Sequence, residues 1–444
     1  MTASPPNVEF GHVPFLDLAY DNNDSDNSAR KLILTLMPDW ASEDSNVDFV
    51  RFTDGITNTL LKAVNRRPGL SKLDVDKDSI LLRAYGHGTA ILIDREREAE
   101  NHELLMRHGL ATQLLARFKN GMLYRYILGT AARAQDLSDP LILTAIARRL
   151  AQWHATVPCL PDPNHARDDR HVNGTASTNG TSNGHVNGHV NGNSNGLDHV
   201  NGHVNGNGTK ARQDMIDNAA PGKPPPNMWT IMQKWIFALP TDTDAQRERQ
   251  ALLQQELEGM IKKLSQRPGL GKNGRKMQLV FAHCDLLCAN VIIHRDGDAA
   301  PTVDFIDYEY ATPSPAAFDV ANHFAEWAGY DCDYSAVPRQ DQRLAFVKEY
   351  IKTYFSLTGE DVDEEAEVRK LMDEVDAYRG VPGFYWGIWS QIQSVISKID
   401  FDYAQYAELR LSEYWAYKAE DDGSRKAAGE EMPLREKTWW SNNE

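Results

Sequence analysis

Cysteine is scarce in this chain, and its scarcity excludes two structural classes. Cys159, Cys284, Cys288 and Cys332 are four in 444 residues, too few and too irregularly spaced for a disulfide framework or a CxxC metal site. A reducing compartment fits that usage. Long apolar runs are missing too. None approaches the roughly 20 residues that a membrane helix needs, and the opening MTASPPNVEFGHVPFLDLAY has neither the basic stretch nor the apolar core of a secretory signal. Positive charge is also short. Lys and Arg number 47 against 63 Asp and Glu, a net charge of -16 with no basic block, which argues against nucleic acid or an anionic membrane as a partner. The expectation is a cytoplasmic protein with no integral membrane contact, no nucleic-acid partner and a small-molecule substrate.

What is present falls into segments. Residues 1–28 are rich in Pro, Asn, Asp and Ser and read as poorly ordered. Residues 29–128 alternate short apolar runs with one helix. KLILTLMPDW, the alternation after FTDGITN, SILLRAYG, TAILID and MLYRYIL read as strands. REREAENHELLMRH reads as a helix opened by Asp94 and closed by Gly109. Residues 129–420 turn helical, beginning where Pro140 takes a first helical position and Leu143, Ile146, Ala147 and Leu150 share a face. From about 165 to 226 the composition changes to Asn, Gly, His, Ser and Thr, with HVNG recurring at His185, His189, His199 and His203. Such a segment buries too little apolar surface to offset its ordering entropy and reads as a disordered insertion. No carboxylate or thiolate scaffold accompanies its histidines, so no metal site is expected there. Residues 421–444 read as a charged tail.

The chemistry concentrates between Gln278 and Tyr310, QLVFAHCDLLCANVIIHRDGDAAPTVDFIDYEY. His283, Asp285 and Asn290 share one loop between two apolar runs, and the strands VII and VDFI, joined by a DGD turn, return Asp307 beside them. Moving a phosphoryl group needs positioning, a base near the acceptor hydroxyl, and divalent metal to spread developing charge. Mg²⁺ takes oxygen ligands and keeps several waters, so a carboxylate and an amide carbonyl suffice beside phosphate oxygens. Asp285, Asn290 and Asp307 supply that set. His283 is assigned to holding the loop, since Asp285 already provides a base.

In the HCDLLCANVI loop, the FIDYEY segment and the FDVANHFAEWAG continuation the sequence resembles the choline/ethanolamine kinase family, most of all its ethanolamine kinase branch. The resemblance covers most of residues 52–162 and 227–418. It implies an α+β, two-lobed protein-kinase-like fold with a mainly helical C-terminal lobe, and transfer of the γ-phosphoryl of ATP, with Mg²⁺, to an amino alcohol. Position by position it makes Asp285 the base, Asn290 and Asp307 the Mg²⁺ ligands, and Arg83 the strand cation facing the ATP phosphates, with Glu98 as its acidic partner. The turn containing Gly55, Thr57 and Asn58 matches the loop that covers the phosphates. In two places the sequence departs from the family pattern: Cys284 stands where Asn is usual, and TPSPAA follows Tyr310 in place of an aromatic turn.

An amino alcohol is a small cation, and its pocket should combine aromatic faces with a carboxylate. The resemblance assigns Glu326, Trp386, Trp389 and Tyr406 to it, with Tyr403 behind. Ethanolamine is the expected acceptor. Choline, or both amines, is the alternative, and a non-catalytic kinase-like binding module is the rival of a different class. Oligomeric state is not fixed by the sequence, and a homodimer stays open.

Overall fold

The computed structural model describes residues 13–52, 58–86, 88–159, 206–217, 219–220, 226–271 and 278–442. Its first lobe is a six-stranded sheet: β1 (Phe15–Leu16), β2 (Asn46–Phe52), β3 (Asn58–Arg66), β4 (Ile80–Tyr85), β5 (Leu114–Phe118) and β6 (Gly121–Arg125), hydrogen-bonded in the order β1-β5-β6-β4-β3-β2. β1 pairs parallel with β5 and the other neighbours are antiparallel. Alternation along β4 fixes what each face receives. Ile80, Leu82 and Ala84 enter an apolar cluster with Ala29, Leu32 and Ile33 of helix α1 (Ser25–Leu36). Arg83 is thereby turned to the opposite face. Helix α2 (Lys72–Asp78), capped by a Ser71/Asp74 box, precedes β4. Helix α3 (Arg95–Arg107) packs Ala99 and Met106 against Met122 and Tyr85 on the face that Arg83 shares.

Two of the expected strands are absent. KLILTLMPDW is mostly α1, because its buried residues Ala29, Leu32 and Ile33 recur at helical rather than strand spacing. TAILID forms a 3-10 turn at Thr89–Ile91. β4 already has β3 and β6 on its two sides, so it offers no edge for another strand. Order begins earlier than composition suggests: from Val13 the chain is placed, Tyr20 is buried, and its backbone exchanges hydrogen bonds with the Asn120 side chain.

The second lobe is helical: α4 (Pro140–Thr156), α5 (Gly206–Asp217), α6 (Met228–Ala238), α7 (Asp244–Leu264), α8 (Ala316–Ala325), α9 (Gln340–Thr358), α10 (Glu364–Tyr378), α11 (Val381–Ile396), α12 (Tyr403–Asp421), α13 (Ser424–Ala428) and α14 (Leu434–Trp440). Short strands frame the central loop: β7 (Thr130–Ala131), β8 (Leu279–Ala282), β9 (Val291–His294), β10 (Thr302–Phe305) and β11 (Thr312–Pro315). β9 and β10 form the hairpin expected around DGD, and β11 pairs antiparallel with β8. The TPSP departure is therefore a buried strand, with its prolines in a two-stranded ladder where both strands are edges. α11 and α12 pack closely because a Cβ on Gly383 would lie 2.6 Å from the Arg410 carbonyl, and one on Gly387 2.5 Å from Leu411.

Two further expectations are corrected. α5 lies inside the stretch read as a disordered insertion, and Arg212 sits 5.1 Å over the ring of Phe237. Residues 160–205 lie outside the described residues. The charged tail is not a tail. Trp439 is fully buried, its indole 3.9 Å from the Arg343 guanidinium, and its Nε1 donates to Asp376 at 2.7 Å. Among the described residues no helix is long and apolar enough to cross a membrane. Trp439→Ala should lower the unfolding free energy by about 3–5 kcal/mol, the cost of emptying a large buried aromatic site. Urea unfolding measures this, and a loss below about 1 kcal/mol would separate the C-terminal helix from the cooperative fold.

Candidate active site

The loop from His283 to Asn290 leaves β8, turns through a 3-10 segment at Cys288–Asn290 and enters β9. Its shape is set from outside itself. The backbone N–H groups of His283 and Cys284 donate to the two oxygens of Asp319, both at 2.8 Å. Asn322 Nδ2 donates to the Cys284 carbonyl at 3.0 Å, and His323 Nδ1 donates to the Leu286 carbonyl at 2.8 Å. Asp319, Asn322 and His323 lie on α8, every residue of which is buried. Spaced three and four apart with Glu326 beyond them, they form a polar stripe on an otherwise apolar helix.

This stripe answers for Cys284. Its φ of 62° is a left-handed conformation that Asn adopts readily and Cys does not. The thiol, fully buried 3.4 Å from Ser314 Oγ, contributes little. Asp319 and Asn322 fix the peptide units on either side instead. Burial would raise the Asp319 carboxyl, but the bond from His154 Nε2 at 2.9 Å, with His283 and the loop amides, holds it below the usual range. His283 serves the loop as expected. Its Nδ1 accepts from the Asp285 N–H at 3.3 Å, so Nε2 carries the proton and donates to the Ile306 carbonyl at 3.0 Å. Burial pushes its pKa down to about 4, which suits a neutral strut.

Asp285, Asn290 and Asp307 gather at the mouth of this loop. Asn290 Nδ2 donates to the Asp285 carbonyl at 2.7 Å and to Asp285 Oδ2 at 3.2 Å, turning the amide oxygen the other way. Ile306 N–H donates to the Asn290 carbonyl at 3.0 Å, which brings Asp307 alongside. Asp307 has a φ of 67°, so it holds its place in a strained backbone. Arg83 meets Asp307 at 2.8 Å, Glu309 at 2.5 Å and, through Nε, Glu98 at 3.3 Å. Arg95 bridges Glu98 at 2.8 Å and Glu309 at 3.0 Å, and Asn58 donates to Glu309 at 3.1 Å. Burial disfavours the Arg83 charge, yet Asp307, Glu98 and Glu309 outweigh it and hold the group protonated. Gly55 and Thr57 lie outside the described residues. A small recess lined by Arg83, Glu98, Met122, Tyr124 and Asp307 lies where the two lobes meet.

The aromatic residues converge on α8 from the other side. Trp386 Nε1 donates to Asn322 Oδ1 at 2.9 Å, and Trp389 Nε1 donates to the Tyr310 hydroxyl at 2.8 Å. The Trp386 ring stands edge-on to Trp389 and Tyr310, at 5.6 and 5.4 Å. Tyr403 packs behind Trp389 at 5.8 Å. Tyr406 joins Glu326 through Arg410, which donates to the Tyr406 hydroxyl at 3.1 Å and to Glu326 at 2.9 Å. Sequence reasoning missed Arg410, and also Glu309, Arg95, Asp319 and Asn322. The signal that was there is the placing of Asn322, His323 and Glu326 three, four and seven residues after Asp319.

The sequence profile of the choline/ethanolamine kinase family matches residues 49–415. The chain belongs to that family. Ethanolamine kinase 1 of Mus musculus is 30% identical over 424 residues, covering 92% of this chain and 94% of its own. A probable ethanolamine kinase of Nematostella vectensis is 29% identical over 418 residues, with 91% and 97% covered. In fold, the chain is similar to an ethanolamine kinase of Plasmodium vivax, at TM-score 0.61 and 22% identity over 88% of each chain. It is also similar to a choline kinase of Cryptosporidium parvum, at 0.55 and 19%, covering 93% and 99%. The protein-kinase-like expectation for this choline/ethanolamine kinase family member therefore holds. Asp319→Ala would strand His154 and two loop N–H groups without partners. The expected cost is about 3–5 kcal/mol of stability, read from urea unfolding, and a near-neutral result would remove Asp319 as the loop's anchor.

Proposed function

We propose that the protein is an ethanolamine kinase, transferring the γ-phosphoryl of ATP to the hydroxyl of ethanolamine. The observation that carries this is α8, which holds the Asp285 loop with Asp319, Asn322 and His323, binds Trp386 through Asn322, and ends at Glu326, which Arg410 links to Tyr406. One helix thus sets the distance between a base and a cation-binding pocket. The names of the relatives, ethanolamine kinases in Mus musculus and Nematostella vectensis, support the choice of amine.

The charges around Asp285 fit a divalent cation. Among the described residues Asp307, Glu309 and Glu98, close to Asp285, pair with two guanidinium groups, Arg83 and Arg95. Burial, then Asp307, Glu326 and Glu309, push Asp285 well above the usual carboxylate range, against the bond from Asn290. Asp307 and the amide oxygen of Asn290 would hold Mg²⁺, which supplies charge neutralisation for the phosphates when bound. Asp285 is the base that takes the proton of the acceptor hydroxyl. Arg83, steadied by Glu98, meets the phosphates, and Asn58 belongs to the turn that covers them. Glu326 and the faces of Trp386, Trp389 and Tyr406 hold the ammonium. Both indole N–H groups point to protein partners, so the rings offer the substrate their π faces. A ring cage of this kind also suits a quaternary amine, which keeps choline as the second reading.

Purified protein with ATP and Mg²⁺ should form phosphoethanolamine, with kcat/KM higher for ethanolamine than for choline at equal low concentrations. Asp285→Ala should lower kcat by about 10²–10⁴-fold. An unchanged rate would end the reading. The pH dependence carries a defined sign. An opposite charge favours the ionised carboxylate, so bound cation must lower the raised pKa of Asp285. The acid limb of the kcat/KM profile should therefore move to lower pH as Mg²⁺ rises from limiting to saturating. A limb that stays fixed, or moves upward, contradicts the assignment.

A further inference from the structure

Behind the ammonium pocket runs a line of buried charges that alternate in sign. Glu326 meets Arg410 at 2.9 Å, and Arg410 Nε meets Glu413 Oε1 at 3.2 Å. Glu413 Oε2 lies 3.7 Å from Arg435, Arg435 lies 3.2 Å from Glu436, and Glu436 meets Arg379 at 2.9 Å. None of the six is more than 7% exposed. The line starts at Glu326, passes through α14, the segment whose composition suggests a solvated tail, and ends at Arg379 just beyond α10. Arg435 is further held by the Arg379 carbonyl at 2.6 Å, and Tyr334 donates to Glu413 at 3.3 Å.

A lone Glu326–Arg410 pair would be self-neutralising, leaving no net charge for an incoming ammonium. Glu413 changes that, because it competes for the same guanidinium through a different nitrogen. Its contact with Arg410 is shorter than its contact with Arg435, whose charge is shared with Glu436. Arg410 therefore serves two carboxylates, and Glu326 retains negative charge toward the pocket. We infer that Glu413, seated by Arg435 of the C-terminal helix, is a positioning residue for the substrate ammonium. It acts by drawing Arg410 away from full neutralisation of Glu326. This rests on Glu326 being part of the amine site.

The test uses the full-length chain with ethanolamine and ATP as varied substrates. Glu413→Gln should raise KM for ethanolamine about twentyfold, the scale of one charge removed at roughly 8–10 Å with an effective dielectric near 20. Its kcat and its KM for ATP should stay within about twofold, and Glu413→Asp should recover most of the loss. Arg435→Gln removes a positive charge from the same line and should lower KM for ethanolamine. Its sign decides the matter alone if Glu413→Gln does not fold. An unchanged KM in Glu413→Gln, an equal fall in every constant, or a higher KM in Arg435→Gln overturns the inference. Glu326→Gln separates the two levels: if it raises KM while Glu413→Gln does not, the amine site stands and the inference fails. If wild-type protein does not turn over ethanolamine, or Glu326→Gln leaves KM unchanged, both fail together.

Discussion

The Asp319 carboxylate, fully buried on α8, is the constraint on which the site depends. It accepts from two consecutive backbone amides of the loop and from His154, so three donors that burial would otherwise leave unpaired are satisfied by one side chain. Because α8 is regular, the positions one and two turns further along are fixed relative to that contact. Asn322 then links the Cys284 carbonyl to Trp386, and Glu326 reaches Arg410. The Asp285 loop and the Glu326–Arg410 pair are thereby tied to one rigid element.

Electrostatics divide the site into two regions of opposite completeness. Around the pocket, negative and positive charges alternate from Glu326 to Arg379 and each has a neighbour of the other sign. Around Asp285, carboxylates outnumber guanidinium groups, and Arg83 divides itself between Glu98, Asp307 and Glu309. In the first region Arg410 is divided between Glu326 and Glu413. In the second, burial first and then the neighbouring carboxylates raise the pKa of Asp285.

Where the local pattern and the fold agreed, the sequence was a good guide. Asp94 and Gly109 bound their helix, Pro140 opens α4, and the DGD turn joins β9 to β10. It misled where neighbours decide. LILTL alternates like a strand, but α1 packs by its helical stripe against the sheet. TAILID has strand composition and no edge to join. The last two dozen residues look solvated by charge count, yet Arg343 packs on the Trp439 ring and Arg379 pairs with Glu436 in a dry interior. A charge can be read from sequence, but its partner cannot when the two lie 57 or 96 positions apart.

The residue types of the chemistry were determined by sequence alone. Asp285, Asn290 and Asp307 stand at spacings that a loop and a hairpin can converge, and Trp386 and Trp389 share a helical face. Those relations are local, and short-range geometry dictates them. Tertiary structure alone decided the support: that Asp319 replaces what Cys284 cannot supply, that Arg83 serves three carboxylates, and that Glu326 shares Arg410 with Glu413, which Arg435 of the last helix also meets. Each of these is a contact between distant segments, and burial sets its strength, because a charge or an amide removed from water interacts only with what the fold places beside it.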